Sequence, residues 1–177
     1  MTNNINTDIS CQNNFIVRHN MQWLIIAMVI LAIDQLSKYW ISVNFLLDQA
    51  FPVTSFFNIF FTYNTGAAFS FLAKANGWQE WLFGGIAAFI SLAIIYWLYS
   101  APPGRKLAKF SLMLILGGAI GNLIDRAIYG YVRDFLDFYW NNFSLLLYSH
   151  FPAFNFADSA VCVGAMFLII EVFRRDY

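Results

Sequence analysis

Charge is scarce in this sequence. Of its 177 residues only 11% are Asp, Glu, Lys or Arg, against 60% hydrophobic and 20% aromatic, which excludes an ordinary soluble domain. The ten basic and ten acidic residues cancel, and the basic ones form no stripe interleaved with aromatics. That excludes the electrostatic footprint of a nucleic-acid binder. Cysteine is nearly absent. Cys11 lies in a polar tail and Cys162 in an apolar run, without metal-ligand spacing, so neither a disulfide nor a zinc site is expected. Histidine is equally scarce: His19 falls in the tail and His150 in a loop. A His-based metal centre and a Ser-His dyad are therefore both unsupported, and no metal or cofactor is expected.

What the chain does have is a set of apolar runs long enough to cross a hydrocarbon core of roughly 30 Å, about 20 helical residues each. They predict an α-helical integral membrane protein with four transmembrane helices, at about 21–43, 79–99, 108–128 and 156–173. Pro102, Pro103, Gly104 and Pro152 provide boundaries. Residues 1–20 are polar and Asn-rich and are expected to be a disordered cytoplasmic tail, leaving 21–175 as one membrane domain. The run from Met21 follows Arg18 but is too long, and lacks the small-residue exit, for a cleaved signal peptide; it is read as a retained helix.

Four spans put both termini on one side. Arg18, Arg105, Lys106, Lys109, Arg174 and Arg175 fall on that side, with Lys74 and Arg133 the only cations in the opposite loops, so the termini are expected to be cytoplasmic. The tryptophans agree: Trp23 and Trp97 sit at inner ends, and Trp40, Trp78, Trp81 and Trp140 near outer ends. Between the first two spans, residues 44–76 hold short aromatic, β-prone runs broken at Asn64-Thr65-Gly66. A small β-sheet on the outer face is predicted there.

Against this background a few polar groups stand out. Asp34 and Lys38 lie one turn apart on one face of the first span and can pair. A charge in a span costs about 2.5–3.5 kcal/mol on insertion scales and normally faces the bundle interior. The third span ends LMLILGGAIGNLIDRAIYG, with Asn122, Asp125 and Arg126 near its outer end; Gly117, Gly118 and Gly121 are read as close-packing positions. GYVRDFLDFYW follows, carrying Asp134 and Asp137, and the last span opens FNFADSAVCVG with Asn155 and Asp158. Each acid alone has an ordinary reading as a helix cap or solvated surface group. Together they converge at one depth.

Two carboxylates at one site can hydrolyse an amide, because like-charge repulsion raises one apparent pKa and leaves one acid and one base at neutral pH. Asp158 sits where a helix dipole favours its carboxylate, and Asp134 follows Arg133, so the sequence does not say which is the base. A serine-lysine pair using Lys38 competes, with Ser37 or Ser70 as forced partners. A small transporter or channel is the rival from another class, and its polar groups would have to continue inward.

Five segments in order carry a resemblance: DQLSK at 34–38, NTGAAFS at 64–70, GGAIGNLIDR at 117–126, GYVRDF at 130–135 and FNFAD at 154–158. Together they resemble bacterial lipoprotein signal peptidase (signal peptidase II). The resemblance implies an aspartic endopeptidase that removes signal peptides from diacylglyceryl-modified prolipoproteins, on the amino side of the lipidated cysteine, at the outer face of the cytoplasmic (inner) membrane. It implies Asp134 and Asp158 as the catalytic pair. Asp34, Lys38, Asn64, Gly66, Asn122, Arg126, Asn155 and Ala157 become the supporting and substrate-binding shell, with Asp137 a bystander. The partners implied are lipid-modified prolipoproteins and membrane lipid, without nucleic acid; a monomer is the working expectation. The tail and the apolar insert NNFSLLLYSHF depart from the resemblance, and the insert is read as a loop hugging the lipid rather than a lid. No hydrophobic segment precedes Cys11, so the chain is read as a processor of lipoproteins and not as one of them.

Overall fold

The computed structural model describes residues 20–66, 78–140 and 150–175. Four helices follow the apolar runs: α1 (Leu24–Asn44), α2 (Trp78–Ser100), α3 (Lys106–Tyr129) and α4 (Phe156–Arg175). At about 1.5 Å per residue they are ~30–36 Å long, and all four are long and apolar enough to cross a membrane. Their ends fall within three residues of the expected ones.

The third helix is central: α1, α2 and α4 all pack on it. It is also the most buried, whereas the other three turn Ile25, Trp81, Phe89, Met166 and similar side chains outward, the arrangement expected when lipid is the solvent. Small residues set the approach. A Cβ on Gly118 would collide with the Ala157 backbone carbonyl, and one on Gly121 would meet the Asp34 carboxylate at 2.5 Å. The half of the bundle remote from the site is closed by a hydrophobic cluster of Ala27, Ile94, Leu98, Met113 and Leu116.

At one end of the bundle sits a three-stranded antiparallel sheet in the order β1 (Ala50–Pro52), β2 (Phe57–Asn64), β3 (Val132–Phe138). The first two strands lie within the segment where a sheet is expected. The third was not anticipated, because Val132, Arg133, Asp134 and Phe135 are all buried; a strand covered on both faces has no polar alternation to read. It is placed by Gly130, whose left-handed backbone (φ 77°) ends α3 with its N–H on the Arg126 carbonyl, a conformation that favours glycine. Its free edge is covered by residues 150–154, through Phe154 on Leu136 and Phe151 on Phe138.

Asn20, assigned to the tail by its polarity, is buried instead. It donates to the Ala101 carbonyl at 2.8 Å and accepts from Lys109 Nζ at 2.6 Å, fastening the start of α1 to the α2–α3 turn. The remainder of the expected tail (1–19), residues 67–77 with Ser70 and Lys74, and residues 141–149 of the apolar insert lie outside the described residues.

Candidate active site

The site is assembled where α1, α3 and α4 meet the sheet. On α1, four-residue spacing puts Asp34 and Lys38 on one face, and both are fully buried with Lys38 Nζ 2.9 Å from Asp34 Oδ2. The same ammonium lies 3.2 Å from Asp125 Oδ2 and donates to Asn122 Oδ1 at 2.9 Å. Its three N–H groups thus meet three acceptors, and none is directed at a serine. Ser37, the described candidate for a serine-lysine pair, donates to its own helix at the Asp34 carbonyl. Asp34 is further held by the Ala157 backbone N–H at 3.0 Å, so Ala157 contributes a donor and, at 0% exposure, a small side chain beneath Gly121.

Asp158 is fixed by a reciprocal cap at the start of α4. Its N–H donates to Asn155 Oδ1 at 2.9 Å, and its Oδ2 accepts the Asn155 N–H at 3.2 Å; the two side chains satisfy each other's helix-end donors as in a capping box. Asp158 Oδ1 also accepts from Asn122 Nδ2 at 2.7 Å. Asp134, 1% exposed, accepts from Asn155 Nδ2 at 2.7 Å and from Asn64 Nδ2 at 2.9 Å. Asn155 therefore binds both carboxylates, one through its side chain and the other through its backbone. Burial pushes Asp134 up to about 7, the negative charge of Asp158 adds to the rise, and the Asn64 and Asn155 hydrogen bonds oppose it.

A bulge in the sheet separates Asp134 from Asp137. Three residues apart on one strand, the two aspartates face opposite sides, and the pairing slips by one residue between Ile59 and Thr62. The slip lets β2 serve both: Asn64 reaches Asp134, while Asn58 donates to Asp137 at 3.0 Å. Asp137 also pairs with His150. It is directed away from the Asp134–Asp158 cluster.

Above the pair, Asn64 Oδ1 accepts the Gly66 N–H at 2.9 Å, closing the Asn64-Thr65-Gly66 turn. Arg126 Nη2 donates to the Gly66 carbonyl at 3.2 Å and Nη1 approaches the Asn122 carbonyl at 3.5 Å. Among the described residues no three His, Cys, Asp or Glu side chains are grouped to hold a metal ion.

The signal peptidase (SPase) II family model matches residues 26–174. The lipoprotein signal peptidase of Cupriavidus pinatubonensis is 48% identical over 153 residues, covering 86% of this chain and 83% of the relative. That of Yersinia pestis is 44% identical over 161 residues, covering 91% and 92%. The chain belongs to the signal peptidase II family. Two solved bacterial membrane enzymes share the fold, one at TM-score 0.74 and 31% identity over 86% of this chain and 88% of that one. The other matches at TM-score 0.70 and 29% identity over 85% and 92%.

Within this signal peptidase II chain, the ten residues singled out from sequence lie in one connected network: Asp34, Lys38, Asn64, Gly66, Asn122, Arg126, Asp134, Asn155, Ala157 and Asp158. Three members of that network are not among the expected site residues. Asp125 is fully buried between Lys38 and Arg133, and Gln35 donates to Asp34, Asp125 and the Gly121 carbonyl. Arg133, read as a loop cation, turns inward to Asp125. Asp125 and Gln35 lie inside two quoted motifs and were legible by adjacency. The Asp125–Arg133 pair joins a helix to a strand across a turn, a spacing with no periodic signature.

Proposed function

We propose that this membrane protease is an aspartic endopeptidase in which Asp134 and Asp158 activate a water molecule. The observation that carries the reading is Asn155, hydrogen-bonded to both carboxylates at once. Two buried acids held this close cannot both ionise freely, and Asp134 titrates near 7, so one proton is shared near neutral pH. The ionised carboxylate takes a proton from water as its oxygen attacks the scissile carbonyl carbon. The protonated one gives its proton to the carbonyl oxygen, forming a gem-diol. On collapse the C–N bond breaks: the protonated carboxyl of the pair gives its proton to the departing nitrogen while the other carboxylate takes the proton of one gem-diol hydroxyl, leaving a carboxylic acid, an amine and a pair that again holds one proton.

The substrate proposed is a prolipoprotein carrying a diacylglyceryl-modified cysteine, cut on the amino side of that cysteine. Arg126 and the Gly66 turn are suited to hold the peptide backbone or head-group oxygens, and the substrate helix must unwind locally to present its carbonyl. The setting proposed is the cytoplasmic membrane of a bacterium, with cytoplasmic termini, the sheet and site at the outer face, and a monomer as the working unit. This orientation follows from the placement of the basic residues. Transport is disfavoured by the hydrophobic cluster packed in the other half of the bundle, where the buried Lys109 is paired with Asn20. The test is cleavage of a precursor peptide with and without the diacylglyceryl group. Cleavage of the lipidated peptide alone is expected; equal cleavage of both overturns the substrate class, and no product from either overturns the peptidase.

A further inference from the structure

One buried charge beside the reacting pair has no part in the proposed steps. Arg133 is 6% exposed. It donates from Nη2 to Asp125 Oδ1 at 2.7 Å and from Nε to Asp125 Oδ2 at 3.3 Å, while its backbone N–H donates to the same Oδ2 at 3.1 Å. Its Nη2 also approaches Gln35 Oε1 at 3.4 Å, and its guanidinium lies 4.6 Å from the centre of the Tyr129 ring. A two-pronged grip on a carboxylate with an aromatic face alongside is specific to arginine.

Charged side chains from four elements surround Asp134. From α1 come Asp34 and Lys38, from α3 Asp125 and Arg126, from β3 Arg133, and from α4 Asp158. The β2 residue in contact, Asn64, is neutral. Glu80 of α2 acts on Arg126, and Asp137 is engaged by Asn58 and His150. The connected cluster Asp34–Lys38–Asp125–Arg133 therefore holds two negative and two positive charges, and it touches the pair through Lys38 and Asn122.

We infer that Arg133 is a positioning residue that closes this cluster at zero net charge and so sets the pH window in which the Asp134–Asp158 pair keeps a single proton. The inference rests on that pair being the reacting one. Without Arg133 the cluster carries one negative charge, and ionisation of the pair becomes harder at both steps. Without the Asp125 carboxylate it carries one positive charge, and both steps become easier. Removing both restores neutrality.

The experiment is the pH profile of kcat/KM for a lipid-modified precursor peptide, measured on the full chain in lipid nanodiscs. Arg133→Gln is expected to move both limbs to higher pH by about half a unit or more, and Asp125→Asn to move them to lower pH. In the double variant the limbs return to the native positions. Arg133→Lys keeps the limbs in place while lowering kcat/KM, because the charge remains and the fork is lost. Should Arg133→Gln not fold, the opposite displacements of Asp125→Asn and its double variant, with the fixed limbs of Arg133→Lys, still decide. Limbs unmoved in the single variants, or moved the same way in both, overturn the inference. Asp134→Asn serves as the separate control. If it cleaves like the native protein, the pair itself is misassigned; if it is inactive while the limbs stay fixed, only the role of Arg133 falls.

Discussion

Asp134 is buried, beside a second carboxylate, and held by amide donors that restrain its orientation without supplying a full counter-charge. Lys38, whose charge acts on Asp134, is committed to Asp34, Asp125 and Asn122. Two consequences follow for pH. Activity needs one proton on the pair, so it is expected to fall as pH rises through about 7, where Asp134 loses its proton; a pH–rate profile checks this. Stability moves the same way. In the unfolded chain an Asp ionises near 3.8, so the raised value in the fold favours the native state at low pH, and that contribution is lost between 3.8 and about 7. Asp134→Asn is therefore expected to melt above the native protein at pH 8 and close to it at pH 4, measured by thermal unfolding in detergent. Asn155→Ala removes a donor to Asp134 and the cap of α4 together. It is expected to lower kcat about 10²-fold or more and to cost about 1 kcal/mol of stability.

At the scale of elements, the helices were legible because about twenty apolar residues in a row have one economical structure in lipid, and proline and glycine mark their ends. The β1–β2 hairpin was legible from its aromatic runs. The third strand was not, since Val132–Phe135 is covered on both faces and reads like any polar-apolar loop. The same burial hid Arg133. The bulge between Ile59 and Thr62, which lets β2 bring Asn64 to Asp134 on one face and Asn58 to Asp137 on the other, has no sequence mark at all; the opposite facing of the two aspartates follows from their odd spacing once the segment is a strand. Helix contacts make their own prediction. Gly118→Ala and Gly121→Ala would press a methyl group into the Ala157 carbonyl and the Asp34 carboxylate, whereas a Cβ at Gly85 meets nothing within 4 Å. The first two are expected to lose about 1–3 kcal/mol of stability and most activity, with Gly85→Ala unaffected; melting temperatures with cleavage rates check both.

For the whole molecule, every buried charge among the described residues except Lys109 lies at the sheet end of the bundle, and Lys109, at the other end, is held by Asn20 beside the apolar cluster. Cysteines introduced at Thr54 in the sheet region and at Lys106 in the α2–α3 turn should report the orientation. In intact cells an impermeant thiol reagent is expected to label the first and to reach the second only after permeabilisation. The claim on which everything else depends is that Asp134 and Asp158 together cut the peptide bond. The most direct measurement is the cleavage rate of a lipid-modified precursor peptide by folded Asp134→Asn, Asp158→Asn and Asp137→Asn. The first two are expected to fall about 10³-fold or more and the third to retain most of the native rate. Native-like cleavage by Asp134→Asn or Asp158→Asn, or equal losses in all three, would contradict it.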